Sequence, residues 1–313
     1  MAGLTHSALR QIFLGFGGVG LLSTEMLWAK RLPTENPRIS PYLIRTDIEK
    51  PISYQLVAGS AGEIAPAIDV VQRLGADAVD LNMGCPDRSV NRSGCGFAMM
   101  ERPQNARRIV AEARKSTPLP LTAKIRLGVG LDEQVLKDFC AMLEDEGVDM
   151  VSVHARLKKE SFARRPRWER VARIKEWVRM PVIANGGIFT LQDARDCLRI
   201  SGADGLMLGR GAVIKPWLFA EIAKELYGCK LTHPAAAPLS KVYGSFMDLV
   251  TEIFPPERRL GRIKEFTYYF AENYKFGHLL SSRIQGSKSV GEARERAAIF
   301  FEDAARTSDV RSD

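Results

Sequence analysis

The sequence predicts a (β/α)8 barrel followed by a small helical bundle, and three observations predict it. Short apolar and β-branched runs alternate with amphipathic helical patterns from the first residues to about residue 228, the rhythm of a parallel sheet with crossover helices. Eight such units fit in that stretch, as one closed barrel requires, and no G-x-G-x-x-G directly joins the first strand to its helix, which argues against an open dinucleotide-binding sheet. Beyond it the chain changes character. The run His233-Pro234-Ala235-Ala236-Ala237-Pro238 reads as a linker, and the residues after it are helical by period. The expected organisation is a barrel over 1–232, a linker over 233–240, helices over 241–305 and a tail over 306–313.

The chain is expected to start inside or just after the first strand. A helix comes next over Thr5–Leu14, with Thr5 as N-cap and Gly15 as the stop. Strand two is expected at Leu21–Leu27, strand three at Ile52–Ala58, strand four at Ala78–Asn82 and strand five at Leu121–Leu127. Strands six, seven and eight fall at Met150–His154, Pro181–Ala184 and Gly205–Leu208. Helices are expected at Gly62–Leu74, Pro103–Lys115, Glu133–Glu146, Trp168–Val178, Leu191–Ile200 and Pro216–Leu226. In the helical part, Val242, Phe246, Leu249 and Val250, then Ile263, Phe266 and Phe270, then Ala293, Ala297, Ile299 and Phe300 recur at helical spacing. Pro255-Pro256 and Gly277 divide this part into three or four helices, and the polar tail after Ala305 is expected to fray.

At 313 residues and 45% hydrophobic content the chain can bury a full core, enough for one barrel of about 250 residues and a small addition. No stretch approaches the roughly 20 apolar residues of a membrane span, and the N-terminus lacks the order of a signal peptide. A soluble, cytoplasmic monomer is expected. Five scattered cysteines without a CxxC pair indicate neither a disulfide framework nor a metal site. The net charge of +8 favours a polyanionic partner, and its distribution says more. Between Arg156 and Lys175 lie nine cations opposed only by Glu160 and Glu169. A second cluster, Arg258, Arg259, Arg262 and Lys264, adjoins Phe266, Tyr268, Tyr269 and Phe270. Each could be a solvated helix face, but cations interleaved with rings also neutralise phosphates and stack bases.

In a barrel, side chains at the C-terminal ends of strands share one mouth, so they are read together. Strand three ends near Gln55, strand four with Asn82 and then Cys85, strand five with Lys124 and Arg126, and strand six with His154 and Arg156. Strand seven ends in Asn185-Gly186-Gly187 and strand eight in Gly209-Arg210-Gly211. Polar side chains inside apolar strands are costly to bury without a partner or ligand, and ion pairs hardly account for six strands at once. Cys85 sits between Gly84 and Pro86 on a stiff turn, suited to moving one proton at one atom. A lone cysteine is more often a small core hydrophobe, and it is the surrounding motifs that favour chemistry. The glycines after strands seven and eight, with Arg210, match the usual barrel phosphate site, and the phosphate could belong to an extended cofactor such as FMN.

The combination Met1-Ala2-Gly3-Leu4-Thr5, Thr24-Glu25-Met26, Gln55, Asn82-Met83-Gly84-Cys85-Pro86 with Val90-Asn91, Lys124-Ile125-Arg126, Val153-His154-Ala155-Arg156, Ile183-Ala184-Asn185-Gly186 and Leu208-Gly209-Arg210-Gly211 closely resembles the tRNA-dihydrouridine synthases. The match runs in order through residues 1 to about 220 and is looser in the helical part. The resemblance implies an oxidoreductase that reduces the C5–C6 bond of a uridine in tRNA, using FMN reduced by NADPH or NADH. By it Cys85 is the proton donor, and Met1, Ala2, Gln55, Lys124, His154, Asn185, Gly186, Gly187, Gly209 and Arg210 hold FMN. Asn82, Asn91, Arg126, Arg156, Arg262 and Lys264 fall to the RNA, with Asn82 and Arg126 against the uracil carbonyls. Three departures stand out. The family carries Ala-Pro ahead of the position of Met1, which leaves open a start upstream of it; its frequent His-Gly-Arg-Thr is here His154-Ala155-Arg156-Leu157; and Gly187 replaces a common acidic residue. A flavoenzyme acting on free pyrimidines, a ribosomal RNA target and a non-catalytic RNA-binding barrel are the competing readings. The basic surface opposes the first and the intact Cys85 motif the last.

Overall fold

The computed structural model describes residues 1–231, 237–307 and 310–311, so parts of the expected linker and tail lie outside the described residues. The strands are β1 (Leu22–Ser23), β2 (Leu27–Trp28), β3 (Ile52–Val57), β4 (Ala78–Asn82), β5 (Leu121–Arg126), β6 (Met150–His154), β7 (Val182–Asn185) and β8 (Gly205–Met207). All are parallel. Both β1 and β2 pair with β3, and from β3 to β8 each strand pairs with the next. The side chains of alternate residues face one cavity, so the sheet curls in the manner of a TIM barrel. Among the described residues no ladder joins β8 to β1, and the expected first strand is replaced by a turn at Ala2–Leu4. The barrel is therefore open along one seam.

Around the sheet lie α1 (Ser7–Phe16), α2 (Ile64–Arg73), α3 (Arg88–Arg92), α4 (Pro103–Ser116), α5 (Glu133–Asp145), α6 (Trp168–Trp177), α7 (Leu191–Ser201), α8 (Arg210–Ile214) and α9 (Leu218–Tyr227). Outward-facing Val79, Leu81, Ala123, Ile125, Val151, Val153 and Ala184 pack against these helices in one buried cluster. The inward residues are mostly polar: Ser53, Gln55, Asp80, Asn82, Thr122, Lys124, Ser152, His154 and Asn185 line the lumen. Period two thus divides each strand into a structural face and a chemical one.

Two local expectations need correction. The N-terminal helix begins at Ser7, two residues late: Thr5 Oγ1 accepts from the Met1 amine at 2.8 Å and donates back to the Met1 carbonyl at 3.2 Å instead of capping, and the helix stops at Gly17, not Gly15. Strand two is split because Thr24 Oγ1 replaces a backbone acceptor, taking the Gln55 N–H at 3.1 Å and donating to Glu25 O at 2.8 Å. The other strand boundaries fall within a residue or two of expectation. Helix α8 and the short α3 were not separated by sequence period, which five residues cannot establish.

The C-terminal part forms α10 (Leu239–Ile253), α11 (Arg259–Phe270), α12 (Gly277–Gln285) and α13 (Val290–Thr307). Their apolar faces share one buried cluster with Leu9 and Phe13 of α1 and with Ala212 and Val213 of α8. The bundle is thereby cemented to the mouth side of the barrel rather than hung from a tether. Phe266 and Phe270, expected beside a basic surface, are core; of the four rings only Tyr268, 61% exposed, reaches outward, and Tyr269, half-buried, lines the cavity.

Candidate active site at the barrel mouth

The turn after β4 is held from both ends. Asn82 Oδ1 accepts from the backbone N–H of Gly84 at 3.2 Å and of Cys85 at 3.0 Å. The Cys85 carbonyl accepts from Asn91 Nδ2 at 2.8 Å and from the Phe97 N–H at 2.9 Å. Asp87 caps α3 by accepting from Ser89 N and Val90 N, which brings Asn91 back over the turn. Gly96 closes it: with φ +60°, a Cβ there would lie 2.9 Å from the Cys85 carbonyl and 2.8 Å from Val90. The backbone of Cys85 is fixed and its half-buried thiol faces the cavity. Burial pushes the thiol pKa up, ahead of the opposing pull of Arg126 and Lys124, so it stays protonated at neutral pH.

Strand register sets the other groups beside it. Asn82 pairs with Lys124, Arg126 with His154, and His154 with Asn185 across successive ladders. Lys124 Nζ donates to Asn185 Oδ1 at 2.9 Å, and Asn185 Nδ2 donates to the Met207 carbonyl at 2.7 Å. Burial lowers the Lys124 pKa to about 8. Arg126 donates to the Gly84 carbonyl at 2.9 Å and to the Leu157 carbonyl at 3.0 Å, bracing the cysteine turn from below. His154 lies 3.1 Å from an Arg156 Nη1, and burial, then the charges of Lys124, Arg126, Arg156 and Arg210, lowers its pKa to about 2. It is a neutral imidazole.

Gly186 has φ +106°, and a Cβ on it would come within 2.6 Å of the His154 ring, so the loop after β7 must be glycine to let the imidazole through. Phe162, 52% exposed, stacks on His154 at 5.9 Å and takes the Arg210 guanidinium at 4.5 Å. Met1, Ala2, Gln55, Asn82, Cys85, Lys124, Arg126, His154, Arg156, Asn185, Gly186, Gly187, Gly209 and Arg210 all line one cavity of about 860 Å³. Asn91, Arg262 and Lys264 do not line it. Asn91 works on the Cys85 backbone, and Arg262 lies half-buried with its guanidinium 4.0 Å from the Phe254 ring centroid.

The first basic cluster is partly spent on structure. Arg167 and Arg164 pair with Glu160, Lys158 pairs with Glu101 at 2.8 Å, and Lys175 with Asp204 at 2.8 Å. Ser161–Arg165 remain exposed at the rim. Sequence reading missed Phe162, Phe189, Tyr269, Asp80 and Thr122 as cavity residues. Asp80 and Thr122 had a signal, two positions before Asn82 and Lys124 on the same strand face; Phe162, on a loop, had none. Among the described residues no cluster of His, Cys, Asp or Glu is placed to hold a metal, and no helix is long and apolar enough to cross a membrane.

A TIM-type barrel with one protonated thiol at a cation-ringed mouth defines the class: a barrel enzyme. Similarity to known proteins narrows it. A family model described as dihydrouridine synthase (Dus) matches residues 1–263, and the chain belongs to that family. It is 34% identical to the tRNA-dihydrouridine(16) synthase of Aquipseudomonas alcaligenes over 88% of this chain and 89% of that one. It is 31% identical to the tRNA-dihydrouridine(16) synthase of Pseudomonas syringae pv. tomato, covering 91% of this chain and 92% of that one. Among solved structures, a 2-naphthoyl-CoA reductase shares the fold at TM-score 0.54 and 10% identity, covering 71% of this chain and 47% of that one.

Proposed function

We propose that this chain is a tRNA-dihydrouridine synthase that uses FMN, recharged by NADPH, to reduce the C5–C6 bond of an extruded uridine. The observation that carries the reading is Cys85, a protonated thiol on an immobilised turn among the cations Lys124 and Arg126. The cavity's residues fit the cofactor. Its volume of about 860 Å³ suits a large planar phosphorylated ligand. The bare backbone of Gly186, Gly187 and Gly209 beside Arg210 suits a phosphate, and the buried hydroxyls of Ser53 and Ser152 have no partner.

When bound, FMN supplies the hydride that goes to C6. The chain's own residues do the rest. Cys85 Sγ–H gives its proton to C5, so the double bond becomes single with one hydride and one proton gained, and solvent returns the proton to the thiolate. Asn82 and Arg126 meet the uracil carbonyls, and Arg126 stabilises negative charge developing there. Gln55, Lys124, His154, Asn185, Met1 and Ala2, which share the cavity, would hold the cofactor. A uridine folded into tRNA must be turned out to reach the mouth, and the exposed Arg164, Arg165 and Tyr268 with half-buried Lys264 are the groups offered to its backbone, while the buried Arg156 holds the loop that carries Arg164.

The two relatives named for position 16 make uridine 16 the position proposed here. Purified protein, FMN and NADPH are added to unmodified tRNA, and dihydrouridine is mapped. Dihydrouridine at position 16 is the expected product. A different position corrects the site alone, while flavin-bound protein that modifies no tRNA but reduces free pyrimidines refutes the reading.

A further inference from the structure

Beneath the mouth, four side chains form one continuous polar chain. Thr122 Oγ1 donates to Asp80 Oδ1 at 2.5 Å, and Gln55 Nε2 donates to Asp80 Oδ2 at 2.7 Å. Asn82 Nδ2 donates to Gln55 Oε1 at 2.8 Å. Asn82 Oδ1 then accepts from the backbone N–H groups of Gly84 and Cys85. The direction is forced from the backbone end. Backbone N–H groups only donate, so the Asn82 oxygen must face them and its amide nitrogen must face Gln55. Gln55 must therefore offer its oxygen to Asn82, which leaves its nitrogen needing an acceptor. Asp80 is that acceptor, only 3% exposed and on the same lumen face as Asn82 two residues on.

We propose that Asp80 is a positioning residue for Cys85, acting through the side-chain amides of Gln55 and Asn82. Its carboxyl oxygen fixes which way both amides point and so keeps the Asn82 oxygen on the Cys85 N–H. The inference rests on Cys85 being the proton donor proposed above. What Asp80 contributes is an acceptor at one place rather than a charge near Lys124, and the two roles separate experimentally.

The test compares Asp80→Leu and Asp80→Asn in the full-length, flavin-loaded protein. Leucine removes the acceptor and excludes water; asparagine keeps an oxygen for Gln55 Nε2 and turns its NH2 to Thr122 Oγ1, which accepts instead of donating. In Asp80→Leu, kcat for dihydrouridine is expected to fall by about 10²-fold with KM for tRNA little changed, the cost of misplacing a reacting group by about 1 Å. Asp80→Asn is expected to recover most of that loss. Iodoacetamide labelling of Cys85, followed by peptide mass spectrometry, gives a readout independent of turnover: the rate rises severalfold in Asp80→Leu, where the turn is released, and stays near wild type in Asp80→Asn. Equal labelling of wild type and folded Asp80→Leu overturns the proposal, as does an Asp80→Asn variant as impaired as Asp80→Leu. Should the leucine variant not fold, the isosteric Asp80→Asn decides alone, since a 10²-fold loss of kcat there would assign the role to charge. Wild-type protein that makes no dihydrouridine would refute the proposed function but leave the labelling comparison standing.

Discussion

Replacing Gly186 by alanine tests how tightly the loop after β7 is built around His154. The new Cβ would lie 2.6 Å from His154 Cδ2, 2.8 Å from Nε2 and 3.1 Å from Arg156 Nη1, on a backbone at φ +106°. The imidazole cannot step aside freely, because its other face stacks on Phe162 and Arg156 is bonded to the Phe162 and Arg164 carbonyls. Holding a non-glycine residue at positive φ costs about 1–2 kcal/mol, and overpacking a buried contact costs about 1–3 kcal/mol more. The sum, about 2–5 kcal/mol, is to be compared with Gly202→Ala, where φ is +58° and nothing lies within 4 Å of the added Cβ. That control should lose only the conformational part, about 1–2 kcal/mol. Thermal unfolding of both variants measures the difference, and flavin absorbance on the purified proteins shows whether His154 has left its place. If Gly186→Ala unfolds with Gly202→Ala and keeps full flavin, the packing argument for the loop is wrong.

Lys124→Ala and Arg210→Ala should each yield paler protein, because a charge-assisted hydrogen bond lost is worth about 1.5–3 kcal/mol; full flavin absorbance in both would move the cofactor elsewhere. Flavin retention should also weaken above pH 8, where Lys124 at about 8 loses its charge, and equilibrium dialysis across pH should find that slope absent in Lys124→Ala. His154 titrates near 2 when folded and near 6.5 when unfolded, so the unfolded chain takes its proton first as pH falls. Stability should be lost below about pH 6.5 at up to about 1.4 kcal/mol per unit, and urea unfolding of His154→Gln should show a shallower decline. Arg164→Ala with Arg165→Ala should flatten the dependence of log affinity for tRNA on log salt by about 0.7–0.9 per lost phosphate contact, with NADPH-driven flavin reduction intact. Arg167 is left in place because its ion pair with Glu160 braces the loop.

Strands β4 and β6 end where sequence period places them because both faces are fully specified, apolar outward and polar inward. The same alternation makes Gln55, Asn82, Lys124 and His154 legible as mouth residues from the amino-acid order alone. What local pattern could not reveal is long-range partnering. Thr5 reads as a helix cap until the Met1 amine takes its hydroxyl, and Leu21–Leu27 reads as one strand until Thr24 bonds across to Gln55. The roles of Arg167 and Lys175 were obscured likewise, since Glu160 and Asp204 meet them only in three dimensions. Arg262 reads as surface charge but packs on Phe254, eight residues away across the Pro255-Pro256 break.

The proposed function requires Cys85 to deliver the proton to C5. Single-turnover reaction of flavin-reduced Cys85→Ala with tRNA tests it most directly, set beside Cys95→Ser, whose thiol is buried and bonded to the Ser93 carbonyl. Cys85→Ala should keep its flavin, be reduced by NADPH as wild type is, and form dihydrouridine about 10²–10⁴-fold more slowly, while Cys95→Ser should lose little. Wild-type dihydrouridine formation by Cys85→Ala, or loss of it in Cys95→Ser alone, would rule out Cys85 as the proton donor.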